Sequence, residues 1–160
     1  MTDNIIIRAI QPGDNADLAM LIRKVIEEYN VPKCGTVYSD PTTDDLYSLF
    51  RKERSVFWVA ELNGKIAGGC GIYPTKGLPQ DCAELVKFYV SGNARRKGIG
   101  SALIEKSIAS AKAAGYTRLY LESLPQFAEA VHMYEKLGFE NMDAAMGDSG
   151  HSSCNLWMIK

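Results

Sequence analysis

The chain has 160 residues and a formal net charge of −1, a length that suits one domain, residues 1–160, whose core can stand without disulfide or metal staples. The balanced charge leaves no basic field to hold nucleic acid. No apolar run approaches the roughly 20 residues that cross a bilayer, and the first ten residues, Asp3 among them, lack the basic and apolar regions of a signal peptide, so a cytoplasmic protein free of the membrane is expected.

In chain order, Ile5-Ile6-Ile7 with Arg8 predicts a first strand, being rich in β-branched residues. Pro12-Gly13-Asp14 reads as a turn, and Asp14 or Asn15 can cap a helix running to about Tyr29. Its apolar positions Leu18, Leu21, Ile22, Val25 and Ile26 fall at helical spacing. Val31 to Pro41 is punctuated like a loop, and Asp40 or Thr42 can cap a short second helix through Phe50. Val56–Leu62 and Lys65–Tyr73 are strands joined by Asn63-Gly64, the strongest short hairpin signal. Gly68-Gly69 inside the second strand predicts a bulge or a close backbone neighbour. Cys82–Val90 is a strand. Ile99 to Ala114 is a helix with Gly115 at its C′ position. Tyr116 to Glu122 is a strand and Gln126 to Leu137 a helix ended by Gly138. A strand region opens at Phe139, a polar loop follows from Met142 to Ser153, and Leu156–Ile159 is the last strand. Six or seven strands and four helices in this order predict a mixed α+β domain, without the strict alternation of a doubly wound fold.

The four cysteines, Cys34, Cys70, Cys82 and Cys154, form no CxxC pair and read as small apolar side chains. The two histidines, His132 and His151, have no metal-ligand company in sequence, so no metal site is expected.

The informative stretch is Glu84 to Ser101. A strand runs into a turn bearing Arg95-Arg96-Lys97-Gly98-Ile99-Gly100, and a helix starts there. A helix start leaves backbone N–H groups unpaired and carries partial positive charge, which suits phosphate. Gly98 and Gly100 allow close approach, and the three basic residues add charge. Three basic residues in a row commonly form a solvated face, but their place before Gly-x-Gly at a helix start favours an anion. The GxxxxGK(S/T) loop is absent, and Gly98-Ile99-Gly100-Ser101-Ala102-Leu103 lacks the third glycine of the dinucleotide fingerprint.

This segment resembles the acetyl-CoA signature (R/Q)xxGx(G/A) of the GNAT superfamily of N-acetyltransferases. A second segment, Ala130 through Tyr134-Glu135-Lys136-Leu137-Gly138-Phe139, is similar to the family's "A…YEKLGF" element. The resemblance covers about Cys82 to Glu140. It implies a GNAT-like fold: a central mixed twisted sheet of six or seven strands flanked by about four helices, with acetyl-CoA wedged where two strands splay. It also implies that backbone groups of Phe88, Tyr89 and Val90 run along the pantetheine arm. The turn and helix start, Arg95, Arg96, Lys97, Gly98, Ile99, Gly100 and Ser101, would hold the pyrophosphate. Tyr134 matches the family's tyrosine, which can protonate the departing thiolate. Where relatives often carry an asparagine that touches the cofactor, Phe127 stands here, so no such contact carries over.

The implied activity is transfer of an acetyl group from acetyl-CoA to a primary amine, directly in a ternary complex. Such transfer needs a neutral amine and hence a base or a water relay. Glu84, at the start of the central strand where several relatives keep a catalytic carboxylate, is the candidate base, with a surface ion pair or binding of the acceptor amine as the alternatives, and Glu122 on the adjacent strand competes for the role. Glu28, Tyr38 and their acidic neighbours Glu27 and Asp40 fall in the region that forms the acceptor side in relatives, although solvated helix-end carboxylates read equally well there. His151 in its polar loop is a further substrate contact. The alternative function is a non-catalytic module of the same fold that holds acyl-CoA. Homodimers are common among relatives.

Overall fold

The computed structural model describes residues 2–160. Seven strands form one sheet in the order β1-β2-β3-β4-β5-β7-β6. They are β1 (Ile5–Ala9), β2 (Val56–Leu62), β3 (Lys65–Tyr73), β4 (Cys82–Val90), β5 (Arg118–Ser123), β6 (Glu140–Met142) and β7 (Leu156–Ile159). Four α-helices accompany them: α1 (Asn15–Glu28), α2 (Leu46–Leu49), α3 (Ile99–Ala113) and α4 (Ala128–Lys136).

The hairpin between β2 and β3 forms as its Asn-Gly pair predicts, with both turn residues at positive φ, 52° at Asn63 and 84° at Gly64. Strand alternation then sorts β2 between two cores. Phe57 and Val59 face α1 and α2 and pack with Leu18, Ile22, Ile26 and Leu46. Trp58 and Ala60 face α3 and α4, among Leu103, Ile104, Leu121 and Tyr134. Burial of each large aliphatic chain is worth about 1.5–3 kcal/mol, so both faces of the sheet are firmly covered.

Local chemistry moved several boundaries. Asp14 sits before α1 without capping it, because its carboxylate accepts from Arg8 and from the Gln11 amide. The second helical region divides into a 3-10 turn, Pro41–Asp44, capped by Asp40, and the short α2, capped by Asp45. Strand β5 starts at Arg118, two residues late, because the Tyr116 amide still bonds the Ala111 carbonyl and closes α3. Helix α4 starts at Ala128, after a turn in which the Phe127 amide bonds Leu124. Gly68 is a close-approach position: a Cβ there would lie 2.8 Å from the Tyr89 carbonyl oxygen.

Two irregularities in β4 shape everything that follows. Gly69 pairs Tyr89 and Gly71 pairs Val86, so Lys87 and Phe88 together face Cys70. That extra residue is a bulge, and Lys87 takes a left-handed φ of 53° to make it. On its other edge β4 runs parallel to β5, but only Cys82, Ala83 and Glu84 find partners, namely Arg118, Leu119 and Tyr120. Beyond Glu84 the two strands diverge.

Candidate active site

A cavity of about 500 Å³ fills the gap between the diverging strands. Phe88, Tyr89 and Val90 of β4 form one wall, and Tyr134 of α4 with Met133 forms the opposite one. At one end lies the start of α3. Gly98, with φ 81°, ends the turn in a conformation that suits glycine, and it supplies no side-chain cap. The first intrahelical bond runs from the Ala102 amide to the Gly98 carbonyl at 3.1 Å. The amides of Ile99, Gly100 and Ser101 therefore have no partner within the helix. Open space lies beside Gly98, whereas a Cβ on Gly100 would press on Met133 (3.1 Å) and Phe88 (3.2 Å). The helix start is thus packed tightly against α4 and β4, with its donors at the mouth of the cavity.

The basic residues of this turn divide. Arg95 and Arg96 line the cavity. Lys97 pairs with Asp3 at 2.7 Å, and Ile99 is buried in the core. Arg95 is held from behind: Glu28 meets its guanidinium at 3.0 Å, and its Nε donates to the Val90 carbonyl at 3.2 Å. Glu28 thus stands outside the cavity, steering a basic side chain. Tyr38 is also outside, donating its hydroxyl to Glu27 at 2.8 Å. His132 is exposed on α4.

At the far end the cavity becomes acidic. Glu84 is only 3% exposed, and its Oε1 accepts from the Thr75 hydroxyl at 2.6 Å. Burial pushes its pKa up to about 7; Glu122 nearby adds to the rise, while Thr75 and Lys87 oppose it. Glu122 accepts from the Tyr120 hydroxyl at 2.7 Å and from the Ser149 hydroxyl. His151 completes the group, and ligand atoms of Glu84, Glu122 and His151 all lie within 4.8 Å of one another. Three such groups could approach a metal ion, but both oxygens of Glu122 and one of Glu84 already accept hydroxyl protons. That dressing suits an ammonium or a transferable proton better than a coordination sphere.

Behind this group sits an ion pair between a buried lysine and a half-buried aspartate. Lys87 Nζ lies 3.6 Å from Asp40 Oδ2, which also meets His151 Nε2 at 3.1 Å. Burial works to raise the Asp40 pKa, but Thr42, Lys87 and His151 outweigh it and hold the carboxyl well below the usual range. Burial lowers the Lys87 pKa against the pull of Asp40 and Glu84. Tyr134 is 6% exposed and packs edge-on against Phe88 and Phe139, with ring centroids 5.9 Å away in each case. Burial raises its hydroxyl pKa well above 10, so the proton stays on.

The structure thus brings Glu84, Glu122, His151, Tyr134, residues 88–90 and the α3 start to one cavity. Sequence reasoning passed over Lys87, Thr75, Tyr120 and Ser149. Lys87 carried a signal, the lone cation in a buried strand whose other charge is Glu84. Ser149 carried none, because its role depends on where a long loop lands.

Comparison with known proteins matches this architecture. The family model described as "Acetyltransferase (GNAT) family" matches residues 22–139. An uncharacterized N-acetyltransferase of Escherichia coli K12, YjgM, is 35% identical over 156 residues, covering 97% of this chain and 93% of its own. A GNAT-family acetyltransferase of Staphylococcus aureus Mu50 superposes with a TM-score of 0.85 at 20% identity, over 98% of both chains. The putative acetyltransferase yncA of Salmonella typhimurium, solved with its cofactor acetyl-CoA, gives 0.77 at 19% identity, over 98% of this chain and 93% of the other. The structural likenesses establish the fold, and the matched family model with the 35% identical relative establishes the lineage: this chain belongs to the acetyltransferase (GNAT) family.

Proposed function

We propose that the protein transfers the acetyl group of acetyl-CoA to a primary amine, directly and within a ternary complex. One observation carries this reading: the free amides that begin α3 open on the same cavity as Tyr134 and the Glu84–Glu122 pair. Diphosphate would sit on the amides of Ile99 to Ser101, with Arg95 and Arg96 beside it. The pantetheine arm would lie in the gap beyond Glu84, where β4 backbone groups lack a β5 partner. Acetyl-CoA supplies the acetyl group as a thioester.

The roles of the side chains follow from their surroundings. The amine arrives protonated and must lose a proton before its nitrogen can attack. Glu84, with its pKa near 7, is the group poised to take that proton at neutral pH. Glu122, which accepts from the Tyr120 and Ser149 hydroxyls, anchors the ammonium beforehand. Attack forms the C–N bond, and charge gathers on the carbonyl oxygen. Backbone amides at the β4 bulge, displaced from the ladder around Lys87 and Phe88, would stabilise that charge. The C–S bond then breaks: Tyr134 gives its hydroxyl proton to the departing sulfur and regains one from the nitrogen, which sheds its extra proton as the amide forms.

The test is release of CoA from acetyl-CoA in the presence of a panel of amines. Wild type should turn over with at least one amine. Tyr134→Phe should lower kcat about tenfold or more, with acetyl-CoA affinity by calorimetry unchanged. Binding of acetyl-CoA with no amine-dependent release would instead make the chain an acyl-CoA-binding module, and no heat with acetyl-CoA would remove the reading altogether.

A further inference from the structure

The acceptor end of the cavity is roofed. Three segments meet over Glu84 and Glu122: 31–40 after α1, 74–81 after β3, and 143–155 between β6 and β7. The last of these stitches the other two together. The Asp148 amide donates to the Lys76 carbonyl at 2.7 Å. The Ser153 hydroxyl donates to the Cys34 carbonyl at 2.7 Å, and its amide to Gly35 at 3.1 Å. Between those ties, Ser149 reaches down to Glu122 and His151 reaches across to Asp40. Residues 148–153 thus form a strap fixed on both sides of the acidic pair.

The charge under the strap has one sign. Asp40 and Lys87 answer each other. Glu84 and Glu122 remain, with His151 beside them. A primary ammonium fits between two carboxylates, because it offers three N–H donors and one positive charge. A carboxylate carried on the carbon next to the amine would be drawn within a few ångströms of Glu122, where like charges in a desolvated site repel. A lysine on a folded protein would have to bring its surrounding surface to where the strap and its ties already stand.

From this we infer that the acceptor is a small free alkyl amine or diamine with no carboxylate beside its amino group, rather than an α-amino acid or a protein lysine. The inference rests on the acetyl-transfer reading above and narrows it.

The experiment compares kcat/KM for n-propylamine and 1,4-diaminobutane with that for L-alanine and for lysozyme as a folded lysine carrier, at saturating acetyl-CoA. The alkyl amines should lead by about tenfold or more. Glu122→Gln should raise their KM about tenfold and narrow their lead over L-alanine, with calorimetric affinity for acetyl-CoA unchanged. If L-alanine or lysozyme is the better acceptor, or if Glu122→Gln weakens all amines without narrowing the lead, the inference is overturned while acetyl transfer stands. Should no acceptor speed CoA release although acetyl-CoA binds, both fall together. Should the variant not fold, the wild-type ranking decides alone.

Discussion

Glu84 is a carboxyl group kept from water, and that has a cost which pH should reveal. Its pKa near 7 in the folded protein stands above the ordinary 4.5. Between those values the folded chain holds a proton that the unfolded chain has released. The site's contribution to stability is therefore full below pH 4.5 and is lost as pH rises through about 7, by roughly 3 kcal/mol at most. Glu84→Gln removes this dependence. Urea unfolding at pH 5 and pH 8 should show the variant gaining on wild type at the higher pH. Catalysis should move the opposite way: wild-type kcat/KM climbs through about pH 7 as Glu84 ionises, and Glu84→Gln loses that climb along with about a hundredfold or more of the rate. Glu84 was a candidate in sequence through the family resemblance, which keeps a carboxylate at the start of this strand. Its pKa was not legible there, since the largest cause is burial, and Thr75 and Glu122 are brought beside it only by folding.

Among the elements, the start of α3 makes the sharpest claim. Gly100 has almost no room for a side chain against Met133 and Phe88, and its amide belongs to the proposed anion seat. Gly100→Val should weaken acetyl-CoA binding by about tenfold or more, read by calorimetry, because the helix must lift off its neighbours and carry its donors with it. Gly98→Ala is a different perturbation: it leaves the space open but strains a φ of 81°, at about 1 kcal/mol of stability. Periodicity and turn chemistry made these elements readable in advance. The Asn63-Gly64 turn fixed a two-stranded hairpin, and Gly-x-Gly after a strand marked a helix start. The loops were not readable in the same way. Nothing in the spacing of Ser149 and His151 says that 143–155 crosses to meet Asp40 and Lys76. Glu28 and Tyr38 mislead for the converse reason, since a helix end near the site can turn its polar groups to a neighbouring Arg95 or Glu27 instead of the cavity.

Over the whole molecule, the sheet is continuous yet narrowly joined. β1 to β4 make one antiparallel block and β5 to β7 another, and the two share three residue pairs of parallel ladder. The Asp81–Arg118 ion pair at 3.0 Å reinforces the same end. A ligand in the gap bridges the blocks, so acetyl-CoA at a hundred times its Kd should stabilise the fold by about 2.7 kcal/mol. Hydrogen exchange should slow most along β4 past Glu84; protection spread evenly over the chain would place the ligand elsewhere. No described helix is long and apolar enough to cross a membrane. The missing ladder partner of β4 also bears on how such a protein can diversify. Main-chain donors and acceptors survive almost any substitution that keeps a strand extended, so a thioester read by peptide groups tolerates drift in the side chains around it. The acidic end is assembled from side chains on separate loops, so one replacement there rewrites what enters. An unchanging donor half and a revisable acceptor half can therefore share a single crevice.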